Sequence, residues 1–306
     1  MLADAIAGLL HALVAASTRL PWRWLYGIGD GVAAAWRWMG ARESRVARRN
    51  LELALCELGE VERERLQHEV LRTTARQALE TLRFWTHPHT ANLALIGEME
   101  GLDLFDAALA GGRGVIVAAP HYGNWELLNQ WLAAHTPLAI LYRAPDSAIG
   151  EAFLHRVRAD ADDRVTQVRA EGAAVRQLFK RLRDGGVVGI LPDQQPKAGE
   201  GEFAAFFGVP ALTMTLLSRL AARSDATVLF AYCERIDWTP TFRLRFERAP
   251  SELASVMPGI GVTALNAMVE SIARRDLAQY QWTYKRYTVR PPGSAVDNPY
   301  RDFERH

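Results

Sequence analysis

From Gly97 onward the chain alternates between short apolar runs and longer stretches with helical spacing, and that alternation limits the folds open to it. Residues 115–119, 138–142, 165–168, 187–191, 228–233 and 241–246 read as strands. Residues 125–134, 149–158, 172–183 and 213–223 read as the helices between them, with 261–274 after the last strand. A strand followed by a helix, repeated, buries both faces of a sheet and carries the chain back to the same edge. The pattern therefore predicts an α/β fold with a mixed, largely parallel sheet sandwiched by helices.

One strand-to-helix junction carries chemistry. The apolar run at 115–119 and Pro120 lead into His121-Tyr122-Gly123-Asn124-Trp125-Glu126. On a continuous helix, five steps turn two side chains roughly 140° apart, too far to meet. The spacing is useful only if His121 sits on the turn and the helix begins just after it. Asn124 suits the N-cap, and Glu126 then lies in the first turn, where a carboxylate complements the helix dipole. A carboxylate beside an imidazole orients it and favours its protonated form, as a general base taking a hydroxyl proton requires. Gly111-Gly112-Arg113-Gly114 precedes a strand instead of following one, so it reads as a tight turn and not a nucleotide cradle. The chain contains no Walker loop, and the lack of a G-x-S-x-G elbow speaks against an ordinary serine hydrolase.

The amino terminus has a different texture. Residues 2–17 are mostly Ala, Leu, Ile and Val, interrupted by Asp4 and His11, and fall short of the ~20 apolar residues that cross a bilayer. Residues 21–39 carry Trp22, Trp24, Tyr26, Trp36 and Trp38 beside Arg23 and Arg37, as expected of a helix lying at headgroup level. Through residue 50 the net charge is +4, contributed by arginines that should face anionic lipid on the cytoplasmic side. A cleaved signal peptide is not expected, because the apolar run has no basic leader. The organisation read here is a membrane-associating helical segment over 1–50 and a single α/β domain over 51–306, ending in an irregular surface tail from Pro291.

Charge and cysteine content exclude other classes. The formal net charge is +1, which gives no global field for a nucleic acid. Cys56 and Cys233 stand far apart without ligand-spaced neighbours, so they read as free thiols, and no metal site is expected. His87-Pro88-His89 lacks a third ligand and reads as a loop. All but three of the 36 basic residues are arginine, so a phosphate would meet the bidentate guanidinium fork.

Six ordered segments together resemble the lipid A secondary acyltransferases, the late lauroyl/myristoyl transferases within the lysophospholipid acyltransferase superfamily. They are Arg49-Asn50-Leu51; Gly112-Arg113-Gly114-Val115-Ile116-Val117 running into the H-x4-E motif of His121–Glu126; Leu141-Tyr142-Arg143 with the helix bearing Arg158; Leu191-Pro192-Asp193-Gln194-Gln195-Pro196; Phe206-Phe207-Gly208-Val209-Pro210-Ala211; and Gln279-Tyr280-Gln281-Trp282-Thr283-Tyr284-Lys285-Arg286. Two features depart from the family pattern: the short first apolar run with Asp4, and the acidic stretch at 159–163.

The resemblance implies an enzyme of the inner membrane's cytoplasmic face. It would move an acyl chain from the thioester of acyl carrier protein to a hydroxyl of a lipid A precursor, with no cofactor. His121 is then the base, Glu126 the carboxylate that stabilises its imidazolium, and Arg158 a cation for acceptor phosphate or developing charge. Helix-start amides near Asn124 are candidates for meeting the oxyanion, Arg143 and Arg286 for the phosphate headgroup, and Asp193 for orienting sugar hydroxyls or an arginine, or for capping a turn. Phe203, Phe206 and Phe207 are candidates for an acyl groove or for plain core. Another membrane glycolipid or a lysophospholipid as acceptor, a non-catalytic lipid-binding relative and a hydrolase remain open at this point.

Overall fold

The computed structural model describes residues 2–142, 147–158, 164–169, 172–294 and 298–303; Arg143 and the acidic stretch 159–163 lie outside the described residues. Five helices come first: α1 (Leu2–Ser17), α2 (Trp22–Trp38), α3 (Arg42–Ala54), α4 (Glu60–Phe84) and α5 (His89–Leu93). The alternating part runs β1 (Ile96–Glu100), α6 (Leu102–Ala110), β2 (Val115–Ala118), α7 (Trp125–His135), β3 (Leu138–Tyr142), α8 (Ala148–Val157), β4 (Val165–Arg169), α9 (Gly172–Arg183) and β5 (Val187–Ile190). It closes with β6 (Gly201–Phe206), β7 (Val209–Met214), α10 (Leu216–Ser224), β8 (Thr227–Arg235), β9 (Phe242–Arg248) and α11 (Ile260–Ala273).

Among the described residues the main sheet has strand order β1-β9-β8-β2-β5-β3-β4. β8, β2, β5, β3 and β4 run parallel, while β9 pairs antiparallel with β8 and parallel with β1. The two-residue periodicity of a strand divides the core cleanly. Ile116, Ala118, Val188, Ile190 and Phe230 face a cluster shared with α9, α10 and α11. Val115, Val117, Val187, Leu229 and Ala231 face a second cluster with α6 and α7. Helices on both faces are what the alternation predicts, and the mixed α/β sandwich is the observed fold.

The sequence reading differs from the structure in three places. Residues 201–214 form an antiparallel hairpin, β6 with β7, so Thr213 and Met214 are strand and the helix starts only at Leu216. Its two-residue turn is Phe207-Gly208, with φ of 49° and 71°, the left-handed pair that a tight hairpin needs. β1 was not read because it buries Ile96 alone and shows no alternation. The tail is irregular, but it is tied down. Tyr300 is fully buried and its hydroxyl donates to Asn50 Oδ1, while Arg49 pairs with Asp302 at 3.0 Å.

The amino-terminal helices are packed onto the rest. Ala33, Val46, Ala47 and Leu51 enter the first core cluster. Trp22 packs edge-on against Phe84 and near Tyr26, and Trp36 is half-buried. Leu9, Leu13, Leu20, Trp24, Ile28, Trp38 and Met39 point outward instead, beside exposed Arg19, Arg23 and Arg37. α1 and α2 are bent 109° to one another, and among the described residues no single helix is long and apolar enough to cross a membrane. Both cysteines are free; burial pushes the Cys233 thiol well above its ordinary pKa, while Cys56 is exposed.

Candidate active site

β2 and β5 are hydrogen-bonded neighbours, so the segments that leave their carboxyl ends lie side by side. This is the position where open parallel sheets place their sites. The segment after β2 bears His121 and the one after β5 bears Asp193. A two-bond antiparallel ladder holds the first: Gly123 N–H donates to Gln279 O at 3.1 Å, and Gln281 N–H to His121 O at 3.0 Å. The far side of the turn is held by β8, through Asn124 N–H to Cys233 O at 2.7 Å. Gly123 lies between them at φ 61°, and a Cβ there would meet Cys233 O at 2.1 Å, so only glycine fits.

Asp193 contacts His121 at two points. Its Oδ1 takes a hydrogen bond from the imidazole Nδ1 at 2.8 Å, and its Oδ2 takes the His121 backbone N–H at 2.9 Å. The carboxylate can only accept, so Nδ1 carries a proton, and in the neutral ring the lone pair is on Nε2. Burial works to raise the Asp193 pKa, but the His121 ring and backbone N–H outweigh it and hold the carboxyl below its ordinary value. The Gln194 carboxamide donates to Nε2 at 3.1 Å and to Gln281 Oε1 at 3.2 Å. Trp125 stands edge-on to the imidazole, with ring centroids 4.8 Å apart.

The structure reassigns several residues. Glu126 is not the partner of His121: no hydrogen bond or ion pair joins them among the described residues, and its carboxylate instead pairs with Arg158, the C-cap of α8. The pairing of β2 with β5 brings the segment bearing Asp193 beside the imidazole. Asp193 therefore orients the histidine and is not on hand for sugar hydroxyls. Asn124 is fully buried; its Oδ1 accepts from Leu127 N–H at 3.2 Å and its Nδ2 donates to Glu80 at 3.1 Å, which makes it a cap and not a substrate contact. Arg286 is buried too, its guanidinium taken up by Leu212 O at 2.6 Å and Thr213 Oγ1 at 2.8 Å beside Asn266. Phe206 and Phe207 pack against Tyr280 and Trp282 as core. An open apolar groove of about 690 Å³ runs along α11, lined by Pro250, Ile260 and Met268, and shares no lining residue with the histidine site.

Sequence reasoning missed a buried assembly behind this turn. Glu80 of α4 is fully buried and accepts from Arg235 at 2.7 Å on each oxygen, from the Tyr26 hydroxyl at 2.7 Å and from Asn124. Burial opposes the charge on Arg235, yet Glu80 outweighs it and raises the guanidinium pKa. The assembly joins α2, α4, β8 and the cap of α7. Its members lie far apart in sequence, so no local spacing announces them. Asn50 has a similar bracing role, donating to Trp282 O at 2.6 Å and Tyr284 O at 2.7 Å, next to the ladder that holds His121.

A base whose lone pair is engaged by a side-chain amide alone, an ion-paired arginine on another helix and a helix start together suit transfer of an electrophilic group. Comparison with known proteins points to acyl transfer. Residues 1–288 match the family model described as bacterial lipid A biosynthesis acyltransferase. The chain is 27% identical to a lipid A biosynthesis palmitoleoyltransferase of Escherichia coli (strain K12) over 281 residues, covering 90% of this chain and 89% of that protein. It is 24% identical to the lipid A biosynthesis lauroyltransferase of the same strain over 279 residues, again covering 90% and 89%. A phosphatidylinositol mannoside acyltransferase of Mycobacterium tuberculosis (strain CDC 1551 / Oshkosh) is 28% identical over 135 residues, 44% of this chain and 42% of that one.

Proposed function

The chain belongs to the bacterial lipid A biosynthesis acyltransferase family, and from that premise we propose that it transfers a fatty acyl chain from the thioester of acyl carrier protein to a free hydroxyl of a lipid A precursor. The observation that carries the proposal is the Asp193–His121 pair, which fixes the tautomer and leaves Nε2 as a base. An unactivated alcohol ionises far above neutral pH, so its proton must leave as the new C–O bond forms.

The acceptor oxygen attacks the thioester carbonyl while Nε2 takes its proton. Asp193 stabilises the imidazolium that results, at a distance where the two charges meet with little solvent between them. The tetrahedral intermediate then expels the thiolate, which takes the proton back from Nε2, so ester and free thiol leave with the base restored. Asn124 N–H is taken by Cys233 O and Leu127 N–H by the Asn124 cap, so the Trp125 and Glu126 amides of the first turn of α7 suit the oxyanion. Arg158, held by Glu126, supplies a fixed cation for an acceptor phosphate or the developing charge. The thioester is a substrate and the scheme needs no cofactor.

A lipid acceptor also needs a surface. The outward Leu9, Leu13, Trp24, Ile28 and Trp38, with Arg19, Arg23 and Arg37 beside them, suit α1 and α2 to lie in the headgroup region on the cytoplasmic side of the inner membrane. α1 packs on α8, the helix that ends at Arg158, so the membrane face adjoins the site. The test is reconstitution of the purified protein with acyl–acyl carrier protein and vesicles carrying lipid A precursor, lysophospholipid or mannosylated glycolipid. A mass gain of one acyl chain on the lipid A precursor supports the assignment. Gain on another acceptor alone moves the enzyme to that substrate, and release of free fatty acid alone refutes transfer.

A further inference from the structure

We propose that Gln194 is a positioning residue that holds the lone pair of His121 Nε2 until an acceptor alcohol displaces it, and so suppresses hydrolysis of the acyl thioester. The inference rests on the transfer chemistry proposed above. With Nδ1 committed to Asp193, Nε2 is the ring position from which a proton can be taken. In this structure that position is already filled: the Gln194 carboxamide donates to it at 3.1 Å. The orientation of the amide follows from its two neighbours. In the neutral ring with Nδ1–H on Asp193, Nε2 accepts, so the NH₂ end of Gln194 faces it and also reaches Gln281 Oε1 at 3.2 Å.

The substrate hydroxyl must donate to the same lone pair, so carboxamide and alcohol exclude one another. The backbone beyond Gln194 is pinned to the closing segment: Gln195 N–H donates to the Tyr284 hydroxyl at 3.1 Å, and Gln195 Oε1 accepts from Val289 N–H at 2.9 Å. Displacement therefore asks for a side-chain rotation at half-buried Gln194 and not for movement of the segment. A lipid acceptor bound through its headgroup and chains can offset the lost hydrogen bond with those remote contacts, whereas a lone water has none. Without the carboxamide, water reaches Nε2. It then loses a proton to the ring as its oxygen attacks the carbonyl, and the thiolate leaves with that proton to give free acid and thiol.

The experiment measures how full-length protein partitions a dodecanoyl thioester of acyl carrier protein between acylated lipid and free acid. Vesicles carry a glucosamine disaccharide lipid with free 3-hydroxyl groups on its acyl chains. Gln194→Ala removes bulk and donor, and Gln194→Met keeps the bulk and removes the donor. Both should raise the ratio of hydrolysis to transfer about fivefold or more, the size expected of one neutral hydrogen bond. Loss of general packing would slow both products together and leave the ratio unchanged. An unchanged ratio in both variants, or a change in Gln194→Ala alone, overturns the inference while leaving acyl transfer standing. Wild-type protein that releases only free acid overturns both. Should Gln194→Ala fail to fold, the Gln194→Met ratio decides.

Discussion

Asp193 binds His121 through ring and backbone at once, its two oxygens taking Nδ1–H at 2.8 Å and the main-chain N–H at 2.9 Å. One carboxylate thereby sets the tautomer, the ring plane and the position of the turn. Asp193→Asn keeps the shape but removes the charge that stabilises the imidazolium. It should lower turnover by roughly 10²- to 10⁴-fold with little effect on donor affinity. Steady-state kinetics that separate kcat from KM check this.

The same pair has a signature in stability against pH. Burial tends to raise the Asp193 pKa, but the His121 ring and N–H overcome it, and the folded value lies below the unfolded one. A depressed carboxylate stabilises the fold above its unfolded pKa, about 3.9, and loses that contribution as pH falls through the lower folded value. Wild type should therefore exceed Asp193→Asn in stability at neutral pH, and the gap should close below about pH 4. Urea unfolding of both proteins between pH 3 and pH 7, referred to that about 3.9, measures it.

Glu126 and Arg158 act as one unit. Glu126 is buried and Arg158 mostly so, and removing either partner leaves the other charge uncompensated. Glu126→Gln and Arg158→Gln should each reduce kcat/KM, and the double variant should lose no more than the worse single one. A double-mutant cycle with strict additivity would show that the pairing has no part in the reaction.

The brace behind the turn should respond differently. Glu80→Ala strips Arg235, Tyr26 and Asn124 of their common acceptor and should cost about 3–5 kcal/mol of stability, as breaking a buried pair does. Asn124→Ala loses the cap alone, at about 1 kcal/mol. Denaturant unfolding should separate the two. Gly123→Ala has no tolerable conformation, since its Cβ would meet Cys233 O at 2.1 Å, and should yield protein without transfer activity.

Sequence makes most of the sheet legible, β1 excepted, because burial on both faces writes itself into strand after strand: β2 and β5 are apolar throughout, and α7 announces itself with Asn124. It placed His121 on the turn because strand, turn and cap are local. It misassigned the partner carboxylate because Asp193 is 72 positions away, and only the adjacency of β2 and β5 brings it near. Glu80 and Arg235, 155 positions apart, were invisible for the same reason. The β6–β7 hairpin was missed where Phe207 takes a positive φ, a conformation that its residue type does not advertise. Among the amino-terminal aromatics, composition could not separate inward Trp22 from outward Trp24.

Outward Trp24 and Trp38 are 59% and 88% exposed, so their replacement should leave the core intact. Trp24→Ser with Trp38→Ser should weaken binding to anionic vesicles without shifting the unfolding midpoint. Sedimentation with vesicles and thermal unfolding of the same preparation check both halves.

The rate of acyl transfer by purified His121→Ala, under saturating donor and acceptor, tests the central claim most directly. Loss of the base should cost about 10²- to 10⁴-fold in turnover while the protein stays folded and still binds its donor. Transfer at a rate close to that of the wild type would show that another group takes the proton, and would contradict the account.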